Sequence, residues 1–373
     1  MTTIQQLIPI TPMPRQPQGV TITPEIEQLL AQDPVVAVSI SGGKDSQACA
    51  LAVQEHLDRI GHTGVRCLVH CDLGRVEWKQ SIDKCEEIAK ELGWELIILK
   101  RNAGDMMDRW LVRWRNNVAR YQDLSCVQLI LPWSTPSMRF CTSEGKTQLS
   151  ASALRKRFPG QNVVNVTGIR RQESANRSKM PVSKDDPKIV NKGGVGATWN
   201  AIIDWSLDDV FHIIERRGLR LHEAYTTYGM TRVSCAFCIM SSGPDMRAST
   251  DCPDNHQIYR EMVELEATST FAFQSNKWLA DVRPDLLGEE LVMKVARAKS
   301  AAQQRQAAEA RIPKSLLYTK GWPSGLPTLA DAQLLAEVRC EVAEAVGIDI
   351  QYRDADSVLR RYQQLLEVQA SKQ

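Results

Sequence analysis

The stretch Val35-Val36-Ala37-Val38-Ser39-Ile40-Ser41-Gly42-Gly43-Lys44-Asp45-Ser46 decides the fold. Its first six residues are an apolar run of strand length, the pattern of a strand buried on both faces. Two glycines then permit a tight turn. The segment Gln47–Ile60 that follows has helical character. A strand, a glycine turn and a helix start leave backbone N–H groups pointing inward at a helix N-terminus, which suits phosphate. Ser41 and Ser46 can add hydroxyl donors, Lys44 can neutralise phosphate, and Asp45 can orient that lysine or approach magnesium. The string is neither a Walker loop nor a dinucleotide turn.

The same alternation continues outward. Thr23-Pro24-Glu25 opens a short helix, with Thr as cap and Pro at the first helical position. Val65–His70 predicts a second strand, Glu77–Leu92 a helix and Glu95–Leu99 a third strand. Ala151–Phe158 predicts a helix and Asn162–Thr167 a strand. Strands and helices in alternation predict an open, mostly parallel α/β sheet. Residues 181–198, rich in Lys, Asp and Gly, predict a mobile loop. Asp204–Arg217 contains a helix, and residues 255–311 and the tail are mainly helical. The expected organisation is an irregular segment 1–22, a nucleotide domain 23–232 and a helical region 233–373 with a cysteine-bearing start.

Composition excludes little beyond disorder. The chain has 373 residues, 43% hydrophobic and 24% charged, which is ordinary for a globular protein. Its formal net charge of +2 gives no global attraction to nucleic acid, so such a contact needs a local patch. One candidate is the segment 101–120, where Arg101, Arg109, Arg113, Arg115 and Arg120 surround Trp110 and Trp114. The tryptophans can stack on bases while arginines take phosphates, or pack inward under a solvated charged face. Lys294–Arg311 is a second basic stretch, an exposed helix or a partner surface. No run of about 18 apolar residues is present, so no membrane span is expected. The N-terminus lacks a basic segment followed by an apolar core, so a cytoplasmic location is expected. With ten cysteines and no export signal, a metal or iron–sulfur site is a better expectation than disulfides. Cys235 and Cys238 form a CxxC, and Cys141 and Cys252 sit in similar polar contexts. Four thiolates suit a [4Fe–4S] cluster, or tetrahedral zinc as the alternative.

The loop Ser41–Ser46 resembles the PP-loop of the adenine nucleotide alpha-hydrolase (N-type ATP pyrophosphatase) superfamily, and the chain looks like its phosphoadenosine phosphosulfate reductase family. Four further segments, within about residues 30–280, carry the resemblance: His70–Gly74, Ser137–Thr142 with Lys146, Gly168–Arg177 and Tyr228–Cys238. The resemblance implies a HUP-like α/β fold that binds an adenine nucleotide past the strand ends. It implies that Ser39, Ser41, Gly42, Gly43, Lys44, Asp45 and Ser46 hold phosphates, with Asp72 and Gly74 beside them. Gly168, Arg170, Glu173 and Arg177 would line the pocket, and Lys44, Asp45 and Arg170 would act in catalysis, with ATP and Mg2+ as cofactors. Arg171 belongs to the same cluster but cannot easily face one ligand together with its neighbour.

Two departures separate this chain from a sulfonucleotide reductase. Such enzymes usually lack the lysine–aspartate–serine combination in the loop. They also carry a C-terminal segment with a nucleophilic cysteine, whereas Cys340 falls among Leu334, Leu335, Val338, Val342 and Val346 in a helical packing pattern. The resemblance therefore points to an ATP-using branch, related to DNA phosphorothioation proteins, that releases pyrophosphate and activates an acceptor for sulfur transfer. The alternatives are a phosphoadenylyl or adenylyl sulfate reductase, or a non-enzymatic nucleotide-binding regulator or complex subunit. A nucleic acid or protein partner in a sulfur-transfer complex is part of that expectation.

Overall fold

The structure is a computed structural model and describes residues 19–371. Most of the irregular segment expected over 1–22 therefore lies outside the described residues. The chain divides into two compact units. One comprises the chain to His70, Gln80–Leu99 and Ser150–His222; the other comprises Cys71–Lys79, Lys100–Leu149 and the chain from Glu223 onward.

The first unit is built on the predicted sheet. Its strands are β1 (Val35–Ile40), β2 (Arg66–Asp72, whose last two residues count with the second unit), β3 (Glu95–Lys100, whose last residue does), β4 (Val163–Thr167), β5 (Ser183–Asp185) and β6 (Gly196–Trp199). They lie in the order β3-β2-β1-β4-β6-β5. β1 pairs in parallel with both β2 and β4, and β4 pairs in parallel with β6. Alternation along β1 divides the core. Val36, Val38 and Ile40 join Leu51, Val53, Trp199 and Ile213 on one face. Val35 and Ala37 join Val69, Leu154, Phe158 and Val163 on the other. Successive strand residues point to opposite faces, so an all-apolar β1 is a strand covered on both sides.

Two local readings need correction. Residues 181–198 are not simply a loop, because they contain β5 and β6, paired antiparallel at the edge. The sequence hides them: β5 is the charged triplet Ser-Lys-Asp, and β6 opens on a glycine. Charged residues suit an exposed edge strand but give no apolar alternation to read. The glycine is required, since a Cβ on Gly196 would stand 2.3 Å from the Asp186 carbonyl oxygen. Thr23 precedes the helix Pro24–Leu30 as expected, but its hydroxyl bonds Ser183 (2.9 Å) and caps nothing.

The second unit is mainly helical. Its long helices are Met106–Gln122, His256–Ser269, Glu289–Glu309, Leu329–Val346 and Ala355–Ala370. The last four pack on one another in chain order. Thr328 and Asp354 each begin a helix with a reciprocal capping box, to Asp331 and Ser357. Gly347, at φ +74°, ends one in the left-handed region.

The arginine- and tryptophan-rich stretch folds as the helix Met106–Gln122, and its inward face settles the open question. Trp110 and Trp114 are buried. Trp110 stands edge-on to Trp133 at 5.3 Å, and Trp114 edge-on to Phe271 at 6.2 Å. Arg109 forks onto Glu144, while Arg113 donates to the Leu131 carbonyl and lies over Phe140. No stacking platform for bases is left on these tryptophans. Lys294 and Lys299 lie in the packed helix Glu289–Glu309 and pair with Glu264 and Asp281, and Arg311, just past its end, pairs with Glu341.

Glu266 is buried among these helices, and its carboxylate accepts the backbone N–H groups of Phe273, Leu279 and Ala280 (2.7, 2.7 and 3.1 Å). Burial pushes its pKa up to about 7, against those three amides. A carboxyl raised above its ordinary 4.5 contributes stability below that pH and loses it as pH rises through 7. Glu266→Gln keeps one acceptor oxygen and does not titrate. The difference in melting temperature between the parent and E266Q should therefore change across pH 4.5–7, the parent losing ground as pH rises. A constant difference across that window would contradict the assignment.

Candidate functional site

The strand order places a crevice. β1 neighbours β2 on one side and β4 on the other, so the connections leaving β1 and β4 diverge. Open α/β sheets bind ligands at such a switch point, beyond the strand C-termini. Ser41-Gly42-Gly43 leave β1 there, and Gly168-Ile169-Arg170 leave β4 there. The helix that follows begins at Lys44, three residues earlier than its apolar pattern indicates, because Lys44, Asp45 and Ser46 form its first turn. Gly43 occupies the cap position and has no side chain with which to cap it.

Gly42 and Gly168 each have a steric reason. Gly42 adopts φ +73°, and a Cβ there would meet the Ser81 carbonyl oxygen at 3.1 Å and the His222 ring at 3.3 Å. Gly168 packs directly under the helix start, where a Cβ would stand 2.7 Å from the Asp45 carbonyl oxygen. His222, which walls the turn, is buried, lies 3.3 Å from the Ser81 hydroxyl, and has its pKa pushed down to about 4 by burial and then Lys84. It is neutral at physiological pH and adds no charge under the loop.

The charged centre is a triad. Arg170 Nε donates to Asp45 Oδ1 (2.6 Å), and Lys44 Nζ lies 3.2 Å from Asp45 Oδ2. Lys44 and Arg170 are 6% and 5% exposed, so two buried cations share one carboxylate. Glu173 turns back to accept the Arg170 backbone N–H (2.7 Å) and pairs with Arg177. Arg171 points away to Asp204. This matches the expectation that neighbouring arginines do not face one ligand.

The predicted hydroxyls serve the loop itself. Ser46 donates to the Gly43 carbonyl (2.9 Å) and accepts the Ser41 N–H (3.2 Å). Ser39 is a strand residue bonded to Asn165 (3.2 Å). Asp72 and Gly74 belong to the second unit. There Asp72 accepts the Gly74 N–H (2.7 Å) and pairs with Lys100 (2.8 Å), and Gly74 turns at φ +72° against Asp105.

The cysteines are also in the second unit. Cys235 is flanked by Cys238, Cys141, Glu77 and Lys146. Burial pushes the Cys235 thiol well up, with Lys146 pulling the other way. Burial works against the charge on Lys146, but Glu77 and the Cys235, Cys71 and Cys238 thiols outweigh it and hold the ammonium above its ordinary range. A π-helical turn over Ser143–Thr147 follows Cys141 and carries Lys146. Such turns insert one residue into a helix, a feature invisible to a 3.6-residue period. Cys252 is buried in the apolar core against which Cys141 and Cys235 also pack, beside the Tyr228 hydroxyl, whose pKa that contact and burial push up to about 12. Of the four cysteines expected to converge, Cys141, Cys235 and Cys238 neighbour one another. Among the described residues no group of three or more His, Cys, Asp or Glu side chains is placed to hold a metal ion. The thiols suit soft-metal chemistry by type, and no step is routed through a metal.

Cys340 lies within the helix Leu329–Val346, half-buried, with Sγ 3.7 Å from the Arg353 carbonyl. Leu335, Val338 and Val342 beside it are fully buried, as their spacing indicates. No helix among the described residues is long and apolar enough to cross a membrane.

Comparison with known proteins gives the following. Residues 35–241 match the phosphoadenosine phosphosulfate reductase domain. No curated protein matches the chain. Among solved structures, a phosphoadenylyl-sulfate reductase from Candida auris, in a phosphate complex, is 15% identical. The match covers 58% of this chain and 98% of that one, with a TM-score of 0.34. The U34-tRNA thiolase NcsA from Methanococcus maripaludis, with its [4Fe–4S] cluster, is 13% identical over 70% of this chain and 86% of that one, with a TM-score of 0.32.

Proposed function

The chain belongs to the phosphoadenosine phosphosulfate reductase family, enzymes acting on nucleotide and sulfur substrates, and from that premise we propose that it cleaves ATP between the alpha and beta phosphates. The reading rests on one observation above the others: the buried Lys44–Asp45–Arg170 triad at the switch point. Two buried cations, Lys44 and Arg170, stand together at the switch point, an arrangement that suits the charge-assisted binding of phosphate oxygens. A triphosphate would draw Lys44 and Arg170 to its oxygens and free Asp45 to approach the magnesium that accompanies it.

In the proposed reaction an acceptor oxygen attacks the alpha phosphorus. The acceptor–phosphorus bond forms, the bond to the beta-bridging oxygen breaks, and pyrophosphate leaves with that electron pair. A hydroxyl acceptor passes its proton to solvent, and an anionic phosphodiester oxygen has none to lose. Lys44, Arg170 and the amides at the helix start stabilise charge on the departing pyrophosphate. Asp45 is the residue that would hold magnesium, which when bound would offset the charge of the phosphates. The adenylylated acceptor is then activated for sulfur transfer, with Cys235 and Cys238 near Lys146 as the thiols that handle sulfur. DNA phosphorothioation is the instance of this chemistry that the resemblance favours.

The family name itself favours a second reading, reduction of a sulfonucleotide. That reaction needs a thiol that can reach the substrate sulfur, and Cys340, held within a helix, is poorly suited to it.

Calorimetric titration with magnesium–ATP tests the first reading. Lys44→Ala should weaken binding at least about tenfold, because a charge-assisted contact to phosphate contributes roughly 1.5–3 kcal/mol. Equal affinity in K44A and parent would remove the loop as the phosphate site. ATP binding with no pyrophosphate from any acceptor would assign a regulatory role instead.

A further inference from the structure

Residues beyond the family match hold the cysteine loop in place. After Ser269 the chain turns through Thr270 and presents Gln274. Gln274 is fixed by a reciprocal backbone pair with Lys277 (3.2 and 2.7 Å). Its side-chain Nε2 lies within hydrogen-bond distance of three carbonyls of one loop, those of Cys238 (3.3 Å), Ile239 (3.0 Å) and Ser241 (2.9 Å). The Cys238 carbonyl also accepts the Ser241 N–H (2.9 Å), and Cys238 Sγ accepts the Met240 N–H (3.4 Å). One amide nitrogen therefore meets the outward carbonyls of the turn that carries the second thiol of the CxxC.

The brace is anchored from below. Glu266 binds the Phe273 N–H on one side of Gln274 and the Leu279 and Ala280 N–H groups on the other. Phe273 is driven into the core against Trp133 at 5.0 Å. The segment 273–280 is thus pinned at both ends by a single buried carboxylate, with Gln274 at its exposed side.

We propose that Gln274 is a positioning residue for the Cys235–Cys238 turn, acting through the carbonyls of residues 238, 239 and 241, with Glu266 as its anchor. The proposal rests on the reading of these thiols as sulfur-handling, but its test does not. Three carbonyls converging on one point repel one another unless a donor sits among them. A glutamine amide supplies that donor without adding charge beside the thiols. Without it the turn opens, and Cys238 loses its fixed direction.

Hydrogen–deuterium exchange on the full-length protein, with alkylation by iodoacetamide read by peptide mass, provides the test. Gln274→Met keeps the side-chain length and removes the donor. Exchange across residues 239–242 should rise about tenfold, the scale of losing hydrogen bonds that gate a local opening. Alkylation of Cys238 should rise relative to Cys340 in the same molecules, while exchange in Leu329–Val346 stays unchanged. Gln274→Glu, which sets an acceptor against three carbonyls, should exceed Q274M. E266Q combined with Q274M should add nothing at residues 239–242 beyond Q274M alone. Unchanged exchange at 239–242 in folded Q274M would overturn the proposal. So would a rise shared equally by Leu329–Val346, which would be general loosening. The sulfur-handling role is judged separately, by turnover of Cys238→Ser.

Discussion

Arg170→Ala should be the most damaging single substitution in the nucleotide unit. It removes the 2.6 Å contact to Asp45 and leaves that carboxylate with Lys44 alone, in a place where Arg170 itself is 5% exposed. Breaking a buried ion pair by deleting one partner costs about 3–5 kcal/mol where the remaining charge is left unpaired; here Lys44 still pairs with Asp45, so the cost falls below that range. The expected result is a large fall in the urea midpoint, together with loss of stabilisation by magnesium–ATP. Arg170→Lys should recover part of the stability but not the affinity, since a point charge cannot reproduce the guanidinium fork. If R170A keeps parental stability and an undiminished ATP-induced shift, the triad does not have the role assigned to it.

Gly168→Ala should act by displacement rather than by charge. A methyl at this position would stand 2.7 Å from the Asp45 carbonyl oxygen and 3.0 Å from Ser46 Cα. Both atoms are backbone, so no flexible side chain can move aside. Overpacking of this kind costs roughly 1–3 kcal/mol in stability. Relief requires the first turn of the helix Lys44–Arg59 to shift, and with it Lys44 and Asp45. A tenfold or greater loss of ATP affinity is expected, equivalent to about 1.4 kcal/mol. Gly64→Ala is the control. Its Cβ would stand 2.4 Å from the Asp33 carbonyl oxygen, ahead of β1 and so at the opposite end of the sheet. G64A should lose stability and, where folded, retain ATP affinity. Equal affinity losses in the two variants would mean that binding merely follows stability.

What the sequence discloses follows from the scale of the physics involved. β1 reads directly from Val35–Ile40 because burial on both faces leaves an uninterrupted apolar run. Gly42, Gly43 and Lys44 read directly because a turn against a helix start has few sequence solutions. Ser46 could be recognised as a loop residue, but not as one whose hydroxyl is spent on Gly43 and Ser41. β5 and β6 escaped because one is a charged triplet and the other opens on a glycine. The tryptophans of Met106–Gln122 share a helical face in either reading, and only the partners Trp133 and Phe271 decide which way it points. Cys252 resembles Cys235 and Cys238 in its polar flanks, yet its side chain enters the apolar core. Gln274 and Glu266 carry no local signal, since each acts through backbone groups that a sequence does not distinguish.

The central claim is that the Lys44–Asp45–Arg170 triad serves cleavage of ATP rather than reduction of a sulfonucleotide. It is tested most directly by product analysis of one reaction mixture. That mixture contains the protein, magnesium–ATP, 3′-phosphoadenylyl sulfate, reduced thioredoxin and an oxygen-nucleophile acceptor, here duplex DNA. Ion chromatography then reports pyrophosphate and sulfite together. The account predicts pyrophosphate that depends on Lys44, with no sulfite. Sulfite without pyrophosphate, lost on Cys340→Ser, would contradict it.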